Sequence, residues 1–228
     1  MKTKFGAIIV DGRGKIGGHV ASKNRAGSYL RTKVSPINKR STDQLAVRNR
    51  FTAFSQGWKA LTEAQRTAWN AAVTDYSKTD IFGDLKNPSG ANLYQRLNNV
   101  LSQVGAAAIT TPPIPSSVSN VVLASFIADV SDATMVCTFA PTVPANTAVI
   151  VKATAPISAG RIASKADFRT VKVLAAAVAT GADISVQYIA KFGTITPAGA
   201  KIFVQFIPVN ILTGQTGSRS QASAIIVA

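Results

Sequence analysis

The run Thr111-Pro112-Pro113-Ile114-Pro115 divides this chain into two parts with different periodicities, and that division limits what it can fold into. Prolines so closely spaced fix φ and remove amide donors, so the segment reads as a stiff extended linker. Before it, apolar residues recur every three or four positions; after it they alternate. The pattern predicts an α+β chain with helices and strands segregated along the sequence. The expected parts are an extended basic arm over 1–40, a helical region over 41–110, the linker over 111–117 and a β domain over 118–228.

In the helical part, Ser41-Thr42-Asp43-Gln44 and Thr62-Glu63-Ala64-Gln65 both have the capping-box pattern of a helix start. The first helix carries Leu45, Phe51, Phe54 and Trp58 as its apolar stripe, with Arg48 and Arg50 beginning a polar face. Gly57–Leu61 is expected to join it to a second helix reaching about Thr74, which bears Trp69 and Val73. Core packing is the expectation for Trp58 and Trp69, with Arg66 between them placed to stack on a ring. Asp75–Pro88 reads as a polar connector, with Asp80 and Asp84 flanking a turn. A third helix spans about Gly90 to Val104, with Gly105 as its stop.

Beyond the prolines, strands are expected at Ser119–Ala128, Thr134–Phe139, Ala148–Thr154, Phe168–Ala175, Ile184–Tyr188, Lys201–Asn210 and Ala222–Val227. Short alternating strands separated by turn signals predict an antiparallel β-sandwich of immunoglobulin or fibronectin III character.

Charge is concentrated at the other end. Residues 1–50 hold twelve Lys or Arg against Asp11 and Asp43, which is +10 of the chain's +15. The same stretch has six glycines and few large apolar residues after Val10, so it cannot bury enough surface to fold alone. It reads as an arm ordered by something else: nucleic acid, or neighbouring copies of the chain. The candidate contacts are Arg13, Lys15, Lys23, Arg25, Arg31, Lys33, Lys39 and Arg40, which could meet phosphates or the acidic face of a neighbour. Only Tyr29 interleaves with these cations, too little for a single-strand stacking platform. Over the whole chain charged residues make up only 15%, against roughly 25% in ordinary soluble domains. That fits a surface covered by partners, and equally a sandwich rich in Ala, Thr and Ser.

The raw material for catalysis is scarce. One His, one Cys, one Glu and nine scattered Asp leave almost no general acid–base pair and no tetrahedral metal site, so neither an enzyme nor a cofactor is expected. Cys137 sits in an alternating apolar run and reads as a buried small hydrophobe. Gly12-x-Gly14-x-x-Gly17 matches a dinucleotide fingerprint in spacing, but no helical period follows it. The apolar run Phe5–Val10 stops at Asp11, too short for a signal peptide, and no apolar stretch is long enough to span a membrane. The chain is expected to be made in a cytoplasm, with no membrane and no small-molecule substrate as partner.

Several motifs combine. Gly14-Lys15-Ile16-Gly17-Gly18 is followed by Ser22-Lys23-Asn24-Arg25-Ala26-Gly27-Ser28-Tyr29-Leu30-Arg31 and Pro36-Ile37-Asn38. Then come Gln44, Arg48-x-x-Phe51, Trp58-x-x-Leu61-Thr62-x-x-Gln65-Arg66-x-x-Trp69, Gly90-Ala91-Asn92-Leu93-Tyr94, Asn98-x-x-Leu101 and Pro112-Pro113. Over about residues 12–115 this resembles an uncharacterised family found in bacteriophage and prophage-like gene sets. The resemblance implies a virion structural protein made in a host bacterium, and it assigns no role to single residues. With the arm and the β domain, the expectation becomes a capsid-associated protein in a minor-capsid, cement or decoration role. Its partners would be copies of itself, other virion proteins and DNA through the arm. A nucleic-acid-binding packaging protein and a tail, fibre or filament subunit are the alternatives.

Overall fold

The Gly17-Gly18 pair turns the N-terminal segment back on itself. β1 (Gly14–Ile16) pairs antiparallel with β2 (His19–Asn24), and β2 with β3 (Gly27–Thr32), in the order β1-β2-β3. Gly17 has φ +55°, the left-handed conformation that a two-residue hairpin turn needs and glycine adopts without strain. The glycine run is thus a turn between strands. Residues 1–3 run along the outer edge of β3: Leu30 N donates to Met1 O at 2.8 Å and Thr3 N to Ser28 O at 3.0 Å. The computed structural model describes residues 1–6, 11–24, 27–176, 178 and 180–227. Most of the apolar run Phe5–Val10 therefore lies outside the described residues.

α1 (Thr42–Ala60) begins at Ser41, whose hydroxyl accepts from Gln44 N, and α2 (Glu63–Ala71) begins at Thr62 with both capping-box bonds made. The expected joint at Gly57–Leu61 is shorter than the sequence indicates. α1 runs through Gly57, and only Leu61 and Thr62 separate the helices. Gly57 is there for closeness, because a Cβ would lie 2.8 Å from the Tyr94 hydroxyl. α2 stops at Ala71 and tightens into a 3₁₀ turn over Ala72–Tyr76. A two-stranded hairpin follows, β4 (Lys78–Thr79) with β5 (Leu85–Lys86). Its turn is held by Asp80, whose Oδ1 accepts from Phe82 N at 2.8 Å and Asp84 N at 3.1 Å. α3 (Gly90–Gln103) closes the helical part. Leu61, Trp69, Tyr76, Leu93, Tyr94 and Leu97 form its core, with Phe54 and Trp58 packed against the edge.

The C-terminal half holds β6 (Val122–Asp129), β7 (Thr134–Ala140), β8 (Thr147–Ala153), β9 (Arg169–Leu174), β10 (Gly181–Asp183), α4 (Ser185–Phe192), β11 (Lys201–Asn210) and β12 (Ser220–Ile225). The strands form two antiparallel sheets, ordered β10-β7-β6 and β12-β11-β8-β9. Both sheets feed one core; Phe139 of the first and Phe206 of the second meet with ring centroids 5.4 Å apart. Six of the expected strands fall within three residues of observed ones. The seventh, Ile184–Tyr188, is corrected: it opens helix α4. Over five residues Ile184, Val186 and Tyr188 look like strand alternation. The stripe that is buried is Ile184 and Tyr188, with Phe192 packed on the same core at the helical spacing of four, while Val186 is exposed.

The proline segment is held from both sides. Trp69 Nε1 donates to Thr110 O at 2.8 Å and the Tyr76 hydroxyl to Pro113 O at 2.7 Å. From the β side, Gln215 Nε2 donates to Ile114 O at 3.0 Å, and Gln215 Oε1 accepts from Ser116 N at 2.9 Å. Val100 and Val104 of the α3 end pack on Ile150, Ile207 and Val209, so the helices and the four-stranded sheet share an apolar seam.

Candidate interaction surface

The eight sequence candidates divide by strand register. Residues paired across strands share a face, and faces alternate along a strand. Lys15, Val20 and Arg31 form one cross-strand row. Lys33 lies two residues beyond Arg31 and extends the pairing, its amide donating to Gly18 O at 2.8 Å. The sheet therefore gathers Lys15, Arg31 and Lys33 on one face, all exposed. Arg13 and Lys23 instead converge on Asp11, at 3.5 and 3.7 Å from its carboxylate. Lys39 and Arg40 are exposed in the stretch between β3 and α1, apart from the sheet pairing. Arg25 lies outside the described residues.

The segment is tied down at its start. Lys2 Nζ is 3.2 Å from Asp80, and Lys4 Nζ 3.0 Å from Asp84. The Asp80 carboxyl is 5% exposed. Burial pushes its pKa up, but the Phe82 and Asp84 amides and the Lys2 ammonium outweigh burial and hold it below the ordinary carboxylate value.

Burial separates this half of the molecule from the rest. Among the described residues of 1–60, only Ala21 is buried. α1 has no buried residue over nineteen positions, and Val34, Ile37, Leu45, Val47 and Phe51 are all exposed, Phe51 at 54%. The expected stripe on α1 is covered only at its end, where Phe54 and Trp58 meet Tyr94 at centroid distances of 6.5 and 5.7 Å. Trp69 is fully buried as expected. Arg66 does not use its charge on a ring; it pairs with Glu63 at 2.9 Å and reaches Lys59 O.

A second set of cations escaped the sequence reading. Lys78 and Lys86 face each other across β4–β5, and Arg96 rises from α3 over the Tyr76 ring at 5.5 Å. The three line a cleft of about 650 Å³ together with Asn24, Leu85, Asn87, Pro88, Ser89 and Asn92. Arg96 is half-buried, and desolvation lowers its pKa. The sequence signal was present but faint, since Lys78 and Lys86 become neighbours only once the Asp80 turn pairs their strands.

Cys137 is fully buried, and burial pushes its thiol up to about 12, with the Asp183 charge adding to the rise. Such a thiol is inert at neutral pH. Among the described residues no helix is long and apolar enough to cross a membrane. Neither a protein-family model nor a curated protein matches the chain.

Proposed function

We propose that this chain is a structural component of a bacteriophage particle, capsid-associated in a minor-capsid, cement or decoration role, and that it works by contact rather than catalysis. The observation that carries the assembly reading is the uncovered state of residues 1–60. An isolated helix in water is marginal unless tertiary packing covers an apolar face. Here a nineteen-residue helix buries nothing fully, and five large apolar side chains in and before it face solvent. A neighbouring subunit laid over α1 would supply the missing cover, and the basic sheet that precedes α1 in the chain would extend the contact. The placement in a phage particle comes from the motif resemblance over residues 12–115. The C-terminal half is read as a β-sandwich of immunoglobulin or fibronectin III kind. Two antiparallel sheets over one shared core support that reading.

The test is the mass of the purified chain by light scattering, at low and high salt and without nucleic acid. Large salt-resistant species are expected. Deletion of residues 1–35, or the pair Val47→Ser and Phe51→Ser, should leave a folded protein that no longer associates. A wild-type monomer that stays monomeric at all concentrations, or variants that associate normally, would overturn the reading.

A further inference from the structure

We propose that the cleft between the end of β2, the β4–β5 hairpin and α3 binds the phosphate backbone of duplex DNA without reading its sequence. Three observations lead there. Among the described residues the cleft is lined by three cations, Lys78, Lys86 and Arg96, and no carboxylate. Lys86 is 4.0 Å from Asp84, which is shared with Lys4 at 3.0 Å. Among the described residues neither Lys78 nor Arg96 makes an ion pair.

These cations are also arranged at a cost to the fold. Like charges directly opposite in an antiparallel pair destabilise it, yet Lys78 and Lys86 are so paired in a hairpin of two residues a side. A half-buried guanidinium is normally matched by a carboxylate, whereas Arg96 has only the Tyr76 ring beneath it. Local choices that oppose stability, compensated here only by the shared Asp84 and the Tyr76 ring, are expected at functional sites. A concave wall of one sign also concentrates its field on a ligand.

The third observation sets the size and kind of ligand. Asn24, at the tip of β2, lines the cleft. Alternation along β2 places Asn24 on the same sheet face as Val20, the face that carries Lys15, Arg31 and Lys33. The cations of the meander therefore lead into the cleft along one surface. From Gly18, which pairs with Lys33, to Asn24 is about 20 Å at ~3.3 Å per residue, or roughly six nucleotides of one strand. Tyr76, the one aromatic among the described lining residues, is only 9% exposed and lies under Arg96, so unstacked bases would find little platform. Backbone contact to a duplex remains. This inference rests on the cleft cations Lys78, Lys86 and Arg96, whereas the assembly reading rests on the uncovered face of α1 and the basic sheet.

The experiment is fluorescence anisotropy of the full chain with a labelled duplex of about twenty base pairs, at about 50 and about 200 mM salt. Binding that falls steeply with salt is expected. Lys78→Gln with Lys86→Gln should weaken it at least tenfold and lower the salt slope by about 2, close to 0.9 for each lost phosphate contact. Both side chains are partly solvated, so the fold should survive, which a thermal melt checks; adding Arg96→Gln should deepen the loss. Arg161→Gln with Lys165→Gln removes the same charge from the β half and should change little. Failure of the wild-type chain to bind at low salt would overturn the inference, as would equal losses in both variant pairs. Competition by polyglutamate as effective as by duplex would also overturn it, in favour of an acidic protein ligand. Assembly in light scattering is unaffected by any of these outcomes, so the two readings fail separately.

Discussion

Gln215 uses three of its four hydrogen-bonding positions to hold together parts of the chain about a hundred residues apart. Its amide donates to the Tyr76 hydroxyl and to Ile114 O, both at 3.0 Å, and accepts from Ser116 N at 2.9 Å. The residue is 9% exposed, so water is a poor substitute. Gln215→Leu keeps the volume but strands those partners, and each unsatisfied buried group costs about 1–3 kcal/mol. We expect a loss of at least about 2 kcal/mol by urea denaturation. A loss near zero would mean that the proline segment is held by packing alone. Nothing in the sequence marks Gln215 for this work. It lies in a Thr-Gly-Gln-Thr-Gly turn signal, and its partners are defined only by the tertiary fold.

At the scale of elements, the caps were the most legible features. Ser41 and Thr62 start helices where the capping pattern places them, because the bonds involved are local and need no tertiary partner. Helix α4 was not legible, since five residues cannot separate a period of two from one of 3.6 when both put Ile184 and Tyr188 on the buried side. The β4–β5 hairpin yields a pH prediction. Asp80 organises its turn and receives Lys2, and its carboxyl pKa is depressed in the folded protein. The tie is fully present above the ordinary carboxylate value of about 3.9 and is lost as pH falls through the depressed folded value. The amide resonances of Phe82 and Asp84 should therefore titrate together with a midpoint below about 3.9. Asp80→Asn should abolish that titration. A midpoint above that value would mean that burial outweighs the Lys2 ammonium and the turn amides.

For the whole molecule, the proline run marks the change from helices to sheets, but the two parts meet along a packed seam. The sequence shows where periodicity changes; it does not show that Val100 and Val104, at the end of α3, cover Ile150, Ile207 and Val209. It likewise places the basic residues but not the cleft, which requires the end of β2, the short β4–β5 hairpin and α3 to converge. The seam depends on one close backbone approach. Gly214, with φ +71°, turns the β11–β12 connection against α3, where a Cβ would lie 2.5 Å from Leu97 O and 3.1 Å from Leu101. The nearest obstacle is helix backbone, which cannot rotate aside as a side chain could. Gly214→Ala combines a left-handed non-glycine residue, costing about 1–2 kcal/mol, with overpacking of about 1–3 kcal/mol. A destabilisation of about 2 kcal/mol or more is expected by chemical denaturation. If the helices and sheets unfold together, that loss moves a single transition. If they are independent units joined by a linker, Gly214→Ala splits the melt, with helix signal and sheet signal lost at different denaturant concentrations. Far-ultraviolet circular dichroism followed beside the tryptophan fluorescence, from Trp58 and Trp69 of the helical part, distinguishes the two. Coincident transitions in both proteins are expected from the seam and from the hydrogen bonds that cross the proline segment.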